Sequence, residues 1–182
     1  MKQDYNHFDY FFWKNFFTPK DISLLITRGR ECENVGWKDT PARTMKGKVF
    51  KNITRVGAVR YEYVKEYLEN LHQEILFTNR EYYGLGLHNP ILNGDLLLFN
   101  TYDAKNKSDY KWHTDGSNNL MFDFKFTILI NSSQEPYKGG ELELFTNGGE
   151  TEVKELSTPG SVVMFRSHIP HRVLPVTKGV RK

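Results

Sequence analysis

The sequence predicts an α+β chain that is mainly β, with two N-terminal helices packed on a sandwich or barrel of seven or eight short strands. Two observations carry that expectation. Apolar residues recur at helical spacing only in the first half, most clearly at Val64, Leu68, Leu71 and Ile75. From Tyr82 onward the period changes, and short apolar runs are separated by turn pairs such as Asn89-Pro90, Asn93-Gly94, Gly148-Gly149 and Pro159-Gly160. A length of 182 residues suits one domain with a sizeable core, and 38% hydrophobic with 14% aromatic residues excludes a disordered chain.

Taken in order, the aromatic-rich stretch 8–17 is expected to lie over the core. Thr18-Pro19-Lys20-Asp21 reads as a helix start: Thr18 caps, Pro19 takes the first helical position, and Asp21 favours the positive end. That helix should end at Thr27 or Cys32, and residues 33–59 read as loop and short strand. From Pro41 to Arg60 the chain carries Arg43, Lys46, Lys48, Lys51, Arg55 and Arg60 and no acid. This run reads either as a solvated loop face or as a mobile loop that touches an anionic or extended substrate. Residues 61–77 form the second helix. Strands are expected at 82–87, 96–102, 124–131, 140–145, 152–155, 161–166 and 172–176. The expected division is helical support over 1–80 and β core over 81–182, within a single domain 1–182.

Charge and cysteine content narrow the partners. The net charge of +3 is too small to argue for nucleic acid. The basic run also lacks interleaved aromatics apart from Phe50, which disfavours a groove that stacks bases. The first residues lack the apolar stretch of a signal peptide, and no apolar run approaches the roughly 20 residues that span a bilayer. The lone Cys32 permits no internal disulfide. A cytoplasmic location without membrane contact is therefore expected.

The chemistry concentrates in the second half. His113-Thr114-Asp115, followed far downstream by His171, supplies two imidazoles and one carboxylate. That is the ligand set of a non-haem Fe(II) site with open positions for substrate and oxygen. A structural zinc site would be closed by four ligands, often Cys, which this chain cannot supply. Residues two apart on a strand point the same way, so His113 and Asp115 can reach one ion from one strand end. Arg181 falls ten residues after His171 and could hold the far carboxylate of a chelating co-substrate. His168 and Lys178 satisfy the same spacing. The Pro-Val and Gly positions between His171 and Arg181, and the planar fork of arginine, favour the latter pair. His168 then becomes a mouth residue.

On these residues the stretch from Leu96 to Lys182 resembles the Fe(II)- and 2-oxoglutarate-dependent dioxygenases, in their prolyl 4-hydroxylase-like branch. The motifs are Asn100-Thr-Tyr102, Tyr110-Lys-Trp-His113-Thr-Asp115, Gly139-Gly-Glu-Leu142, Pro159-Gly160 and the frame from His171 to Arg181. The resemblance implies a double-stranded β-helix, or jelly roll, with N-terminal helices supporting one sheet. It implies Fe(II) on His113, Asp115 and His171, and 2-oxoglutarate with its distal carboxylate on Arg181. Tyr102 stands where members place a tyrosine hydroxyl on that carboxylate; a core aromatic is the alternative. Thr127 and Leu129, alternating on one strand, are candidates to line the co-substrate pocket. Tyr110 and Trp112 flank the metal motif and either shape a substrate channel or pack the core. The implied activity is O2-dependent hydroxylation of a C–H bond, foremost of a prolyl residue in a peptide or protein, with ascorbate as a candidate accessory reductant. The same chemistry on a free small molecule or nucleobase, and a non-enzymatic jelly-roll binding module, are the competing readings.

Overall fold

The computed structural model describes residues 9–31, 43–45, 48–87, 96–116 and 125–182. Phe8, Cys32, Phe124 and the turns Asn89-Pro90 and Asn93-Gly94 lie outside the described residues. In chain order the elements are β1 (Tyr10–Trp13), α1 (Pro19–Glu31), β2 (Arg43–Met45), β3 (Lys48–Asn52), β4 (Arg55–Arg60) and α2 (Lys65–Thr78). Then follow β5 (Leu96–Asp103), β6 (Asp109–His113), β7 (Phe126–Ile130), β8 (Lys138–Gly139), β9 (Leu142–Thr146) and β10 (Gly149–Glu152). The last are β11 (Val162–Arg166), β12 (His171–Val173), β13 (Val176–Lys178) and β14 (Val180–Arg181).

Helix α1 starts where its caps require. The Thr18 backbone N–H and hydroxyl both donate to Asp21 Oδ2, at 2.9 and 2.7 Å, and the Asp21 N–H donates back to Thr18 Oγ1 at 3.2 Å. This reciprocal arrangement satisfies donors that the first turn leaves open. Helix α2 follows a short 3-10 turn at Tyr61–Tyr63 and buries Leu68, Leu71 and Ile75, with Val64 buried just ahead of it. Both helices pack with Val59 of β4 and with Val162 and Met164 of β11 in one apolar cluster.

Apart from the β8–β13 pair, the strands form two layers that share cores. One is a six-stranded antiparallel sheet in the order β10-β9-β12-β6-β3-β2. The other consists of two three-stranded sheets, β1-β11-β7 and β14-β5-β4. Strand β11 shows how the layers share one chain. Val162 and Met164 face the helices, whereas Val163 and Phe165 enter a second core with Leu142, Leu144, Val153 and Leu156. Burying each such side chain contributes roughly 1.5–3 kcal/mol, so both faces of β11 favour this arrangement. The β1–β11 pairing is continued by a loop contact in which the Phe17 N–H donates to Gly160 O at 3.0 Å. Gly160 adopts φ +80°, and a Cβ there would lie 2.0 Å from the Phe17 carbonyl oxygen, which restricts the position to glycine.

The structure departs from the sequence expectations in several places. Residues 1–80 are not purely helical support: β1, β3 and β4 pair with β11, β6 and β5. Within the cation-rich run, Arg55–Arg60 are strand, since β4 pairs with β5 along six residues, from Arg55↔Thr101 to Arg60↔Leu96. Its buried Val59 alternates with half-buried and exposed neighbours, a strand pattern that the flanking arginines obscure. The strand expected at 82–87 is absent. Residues Asn79–Tyr83 instead extend α2 as a wider turn. The Asn79 side chain closes that turn, accepting from the Leu85 N–H at 3.1 Å and donating to the Leu85 carbonyl at 2.8 Å. The strand expected at 152–155 stops at Glu152, and a 3-10 turn covers Lys154–Ser157. The strand expected at 172–176 is split at Pro175, which lacks an N–H, and its second half pairs with β8. Among the described residues no helix is long and apolar enough to cross a membrane.

Candidate metal centre and co-substrate pocket

His113 ends β6 and His171 opens β12, and these two residues face each other across the β6–β12 ladder. Together with Asp115 they place three donor atoms within 4.8 Å of one another. Nε2 of His113 lies 3.9 Å from Asp115 Oδ1, and Nε2 of His171 lies 3.6 Å from Asp115 Oδ2. The other ring nitrogen is already used. Nδ1 of His113 is 2.7 Å from the Lys111 carbonyl, and Nδ1 of His171 is 3.1 Å from the Ile169 carbonyl. A carbonyl accepts only, so each Nδ1 carries the proton and each Nε2 turns a lone pair toward the shared point. Burial, then the neighbouring His171, pushes His113 down to about 4, and burial also lowers His171. Both rings are thus neutral near pH 7, as ligation requires.

Simple alternation does not explain this cluster. On β12, His171 and Val173 are two apart, while their partners His113 and Tyr110 on β6 are three apart. The extra residue is a β-bulge, and it puts Tyr110 and His113 on one face. Tyr110 stacks on His113 with ring centroids 3.5 Å apart. Asp115 lies beyond the end of β6 and is placed by other contacts. Its N–H donates to the Ser167 carbonyl at 3.0 Å, and its Oδ2 accepts from the Thr127 hydroxyl at 2.7 Å. Thr127, expected to line the co-substrate pocket, therefore spends its hydroxyl on orienting the carboxylate.

The cluster opens into a cavity of about 400 Å³ lined by Asn100, Tyr102, Thr127, Leu129 and Arg181 among others. Strand β14 pairs with β5 so that Arg181 lies opposite Tyr102, and the guanidinium carbon sits 5.2 Å from the Tyr102 ring centroid. Arg181 is only 7% exposed, and among the described residues no carboxylate lies within ion-pair distance of it. A buried cation without an acid is costly unless an anion joins it. Close approach on its far side is permitted by Gly140, at φ +73°, where a Cβ would lie 2.8 Å from Arg181 Cδ. The final strand is tied down: the Lys182 N–H donates to Ser133 Oγ at 2.9 Å, and the Ser132 N–H donates to the Lys182 carbonyl at 3.1 Å. Burial pushes the Tyr102 hydroxyl up to about 12 against the opposing effect of Arg181, so it remains a donor at neutral pH. A three-donor cluster and a buried cation in one cavity fit a metal ion and a chelating dianion.

The remaining expectations resolve by position. His168 lies in a separate cavity with Arg166 and Tyr83, away from the three-donor cluster. Lys178 is exposed on β13 opposite Lys138. Tyr110 lines the metal cavity, but Trp112 points out of it, packing edge-on to Phe145 and 4.5 Å beneath Arg172. Three further residues belong to the site: Ser167 was not foreseen, and Lys51 and Asn100 were named in the sequence without a place in this cavity. Ser167 supports Asp115, and no motif marks it. Lys51 of β3 enters the cavity with Nζ 4.9 Å from the Tyr110 ring, a placement that depends on β3 joining β6. Asn100 lines the wall with a buried Oδ1 that has no hydrogen-bond partner. Its spacing of two from Tyr102 was the available signal.

Comparison with known proteins agrees with this geometry. Residues 97–182, which contain all three clustered donors and Arg181, match the 2OG-Fe(II) oxygenase superfamily. That match spans just under half of the chain. A PKHD-type hydroxylase of Synechococcus sp. (strain CC9605) is 39% identical over 74 residues, covering 40% of this chain and 32% of the relative. One from Aliarcobacter butzleri (strain RM4018) is 32% identical over 124 residues, covering 63% and 51%. The chain thus spans about a third to a half of the length of the curated relatives it matches. Among solved structures, a Pseudomonas putida prolyl-4-hydroxylase superimposes with a TM-score of 0.68 at 21% identity, covering 98% of this chain and 90% of that one. A Trichoplax adhaerens prolyl hydroxylase, in complex with a hypoxia inducible factor peptide fragment, gives 0.66 at 15% identity, covering 97% and 81%. These likenesses establish the jelly-roll fold of the 2OG-Fe(II) oxygenases.

Proposed function

We propose that this chain is an Fe(II)- and 2-oxoglutarate-dependent dioxygenase that hydroxylates a C–H bond, with a prolyl residue of a peptide or protein as the favoured substrate. The observation that carries the proposal is the buried Arg181, without an acid in reach, in the same cavity as His113, Asp115 and His171. The superfamily match and the hydroxylase relatives support it, and the peptide held by the Trichoplax neighbour supports a peptide substrate. The pairing of β1, β3 and β4 with later strands supports the reading of residues 1–182 as one domain.

In this reading Nε2 of His113, the Asp115 carboxylate and Nε2 of His171 would hold Fe(II). Arg181 would receive the distal carboxylate of 2-oxoglutarate, and the Tyr102 hydroxyl would donate to the same group. Bound there, the metal and co-substrate supply the oxidation, coupling loss of CO2 from 2-oxoglutarate to transfer of one oxygen atom from O2 into a C–H bond. The side chains then have four tasks. Lys111 and Ile169 carbonyls fix both ring tautomers. Thr127 and Ser167 orient Asp115. Arg181 and Tyr102 set the co-substrate's register. Leu129 and Val173 line the cavity and keep water from the reacting atoms. No side chain needs to act as a general base.

The test is anaerobic addition of Fe(II) and 2-oxoglutarate to the protein. A visible charge-transfer band that is lost in His113→Ala supports the site, and its absence from the intact chain refutes it. Proline-containing peptides incubated with O2 should then gain one oxygen atom by mass, with succinate formed in step. Succinate formation without any oxidised peptide would reject the peptide substrate while retaining the chemistry.

A further inference from the structure

A second cavity, of about 510 Å³, takes no part in the chemistry described above. Its lining includes Arg166, His168, Tyr83, Asn147 and Asp9. Its relation to the centre is covalent and close. Arg166 and His168 flank Ser167, whose carbonyl holds the Asp115 N–H at 3.0 Å, and Pro170 on its wall immediately precedes His171. Its wall residues are thus chain neighbours of residues that hold the centre.

Arg166 gives the cavity its character. It closes β11, paired with Phe126, and its guanidinium carbon stands 5.6 Å from the Tyr83 ring centroid. Tyr83 is itself fixed edge-on against Phe126, with centroids 5.0 Å apart. The ring therefore holds the guanidinium plane in place before any ligand arrives. Among the described residues no carboxylate lies within ion-pair distance of Arg166. Beside it the Tyr83 hydroxyl is shielded and lacks a hydrogen-bond partner, and burial pushes it up to about 12, so it is a donor. The arginine fork and the neighbouring Asn147 make a set that suits an anion. Asp9 on the same wall opposes a second negative charge, which favours a single carboxylate over a phosphate dianion.

We propose that this cavity is a substrate subsite for an acidic residue, so that the preferred substrate is an extended peptide with Glu or Asp a few residues from the oxidised position. This rests on the peptide-hydroxylase reading. The test uses fluorescently labelled peptides bound anaerobically to the full chain loaded with Fe(II) and 2-oxoglutarate. Peptides carry Pro or Ala at the centre and Glu, Gln or phosphoserine at each flanking position in turn. At one flanking position the Glu peptide should bind about tenfold more tightly than its Gln counterpart, the scale of one hydrogen bond to a charged group. Arg166→Gln should erase that preference, Arg166→Lys should restore part of it, and the affinity for 2-oxoglutarate should stay unchanged in both. Equal affinity for Glu and Gln at every position, or a preference that survives Arg166→Gln, overturns the subsite. Tighter binding of phosphoserine than of Glu overturns the carboxylate assignment. Failures are separable: oxidation of Pro peptides regardless of flanking charge retains the hydroxylase and rejects the subsite. Arg166-dependent binding of Glu peptides without oxidation of any Pro peptide does the reverse.

Discussion

Replacing Arg181 by Met should weaken 2-oxoglutarate binding while leaving the fold as stable or more so. The side chain is 7% exposed and has no carboxylate partner among the described residues, so in the free protein its charge is buried beside the Tyr102 ring. Removing an unneutralised buried cation in favour of an apolar chain of similar length should be neutral or stabilising by about 1 kcal/mol. With 2-oxoglutarate present the balance reverses. A bidentate arginine–carboxylate contact in a desolvated cavity is lost, which costs about 2–5 kcal/mol, or roughly 30- to 5,000-fold in Kd. The assay is anaerobic titration of Fe(II)-loaded protein, following the visible charge-transfer band, beside a thermal melt of each metal-free variant. If Arg181→Met binds 2-oxoglutarate within about threefold of the parent, Arg181 is not the anchor and the assignment of the cavity fails.

Thr127→Val keeps the shape of the side chain but removes the hydroxyl that donates to Asp115 Oδ2 at 2.7 Å. Metal affinity should fall about tenfold by calorimetric titration with Fe(II) or Co(II), the usual effect of losing a group that orients a ligand. His171→Ala should abolish metal binding in the same titration, whereas His168→Ala should leave it unchanged, since only His171 joins the three-donor cluster. The metal-free protein should lose stability on acidification. His113 is held at about 4 when folded, below the ordinary imidazole value of 6.5, and His171 is lowered too. The unfolded chain then takes up protons first as pH falls. The stability is fully present above about 6.5 and is lost as pH drops toward 4, which melts at several pH values between 7 and about 4.5 would detect. A flat profile across that window would show that the two rings are not buried together.

Much of this was written locally. The Thr18–Asp21 cap, the spacing of Val64, Leu68, Leu71 and Ile75, and the apolar β5 and β11 runs are set by near neighbours, so the helices and most strands were legible. The ligand types were legible for the same reason: His-x-Asp, a distant His and a later Arg are chemistry that the residues carry with them. What the chain alone could not settle depended on which strands meet. Lys51 and the cation-rich run became parts of sheets only because β3 and β4 found β6 and β5, and a run of charges hides that pairing. Asn79–Tyr83 continued a helix because one asparagine side chain closed the turn, although its tyrosines suit a strand equally well.

The sequence by itself determined the chemical groups available: an imidazole, a carboxylate, a second imidazole and a guanidinium, in that order along the chain. Only the tertiary structure decided which histidine joins the three-donor cluster. His168 and His171 are alike in composition and spacing, but only His171 lies opposite His113 across the ladder, and only a bulge in β6 turns His113 toward it. The tertiary structure likewise decided that Arg181 is buried rather than solvated, since pairing with β5 and the missing side chain at Gly140 let it lie beside Tyr102. Composition cannot report those facts, because desolvation and neutralisation depend on which surfaces close over a group.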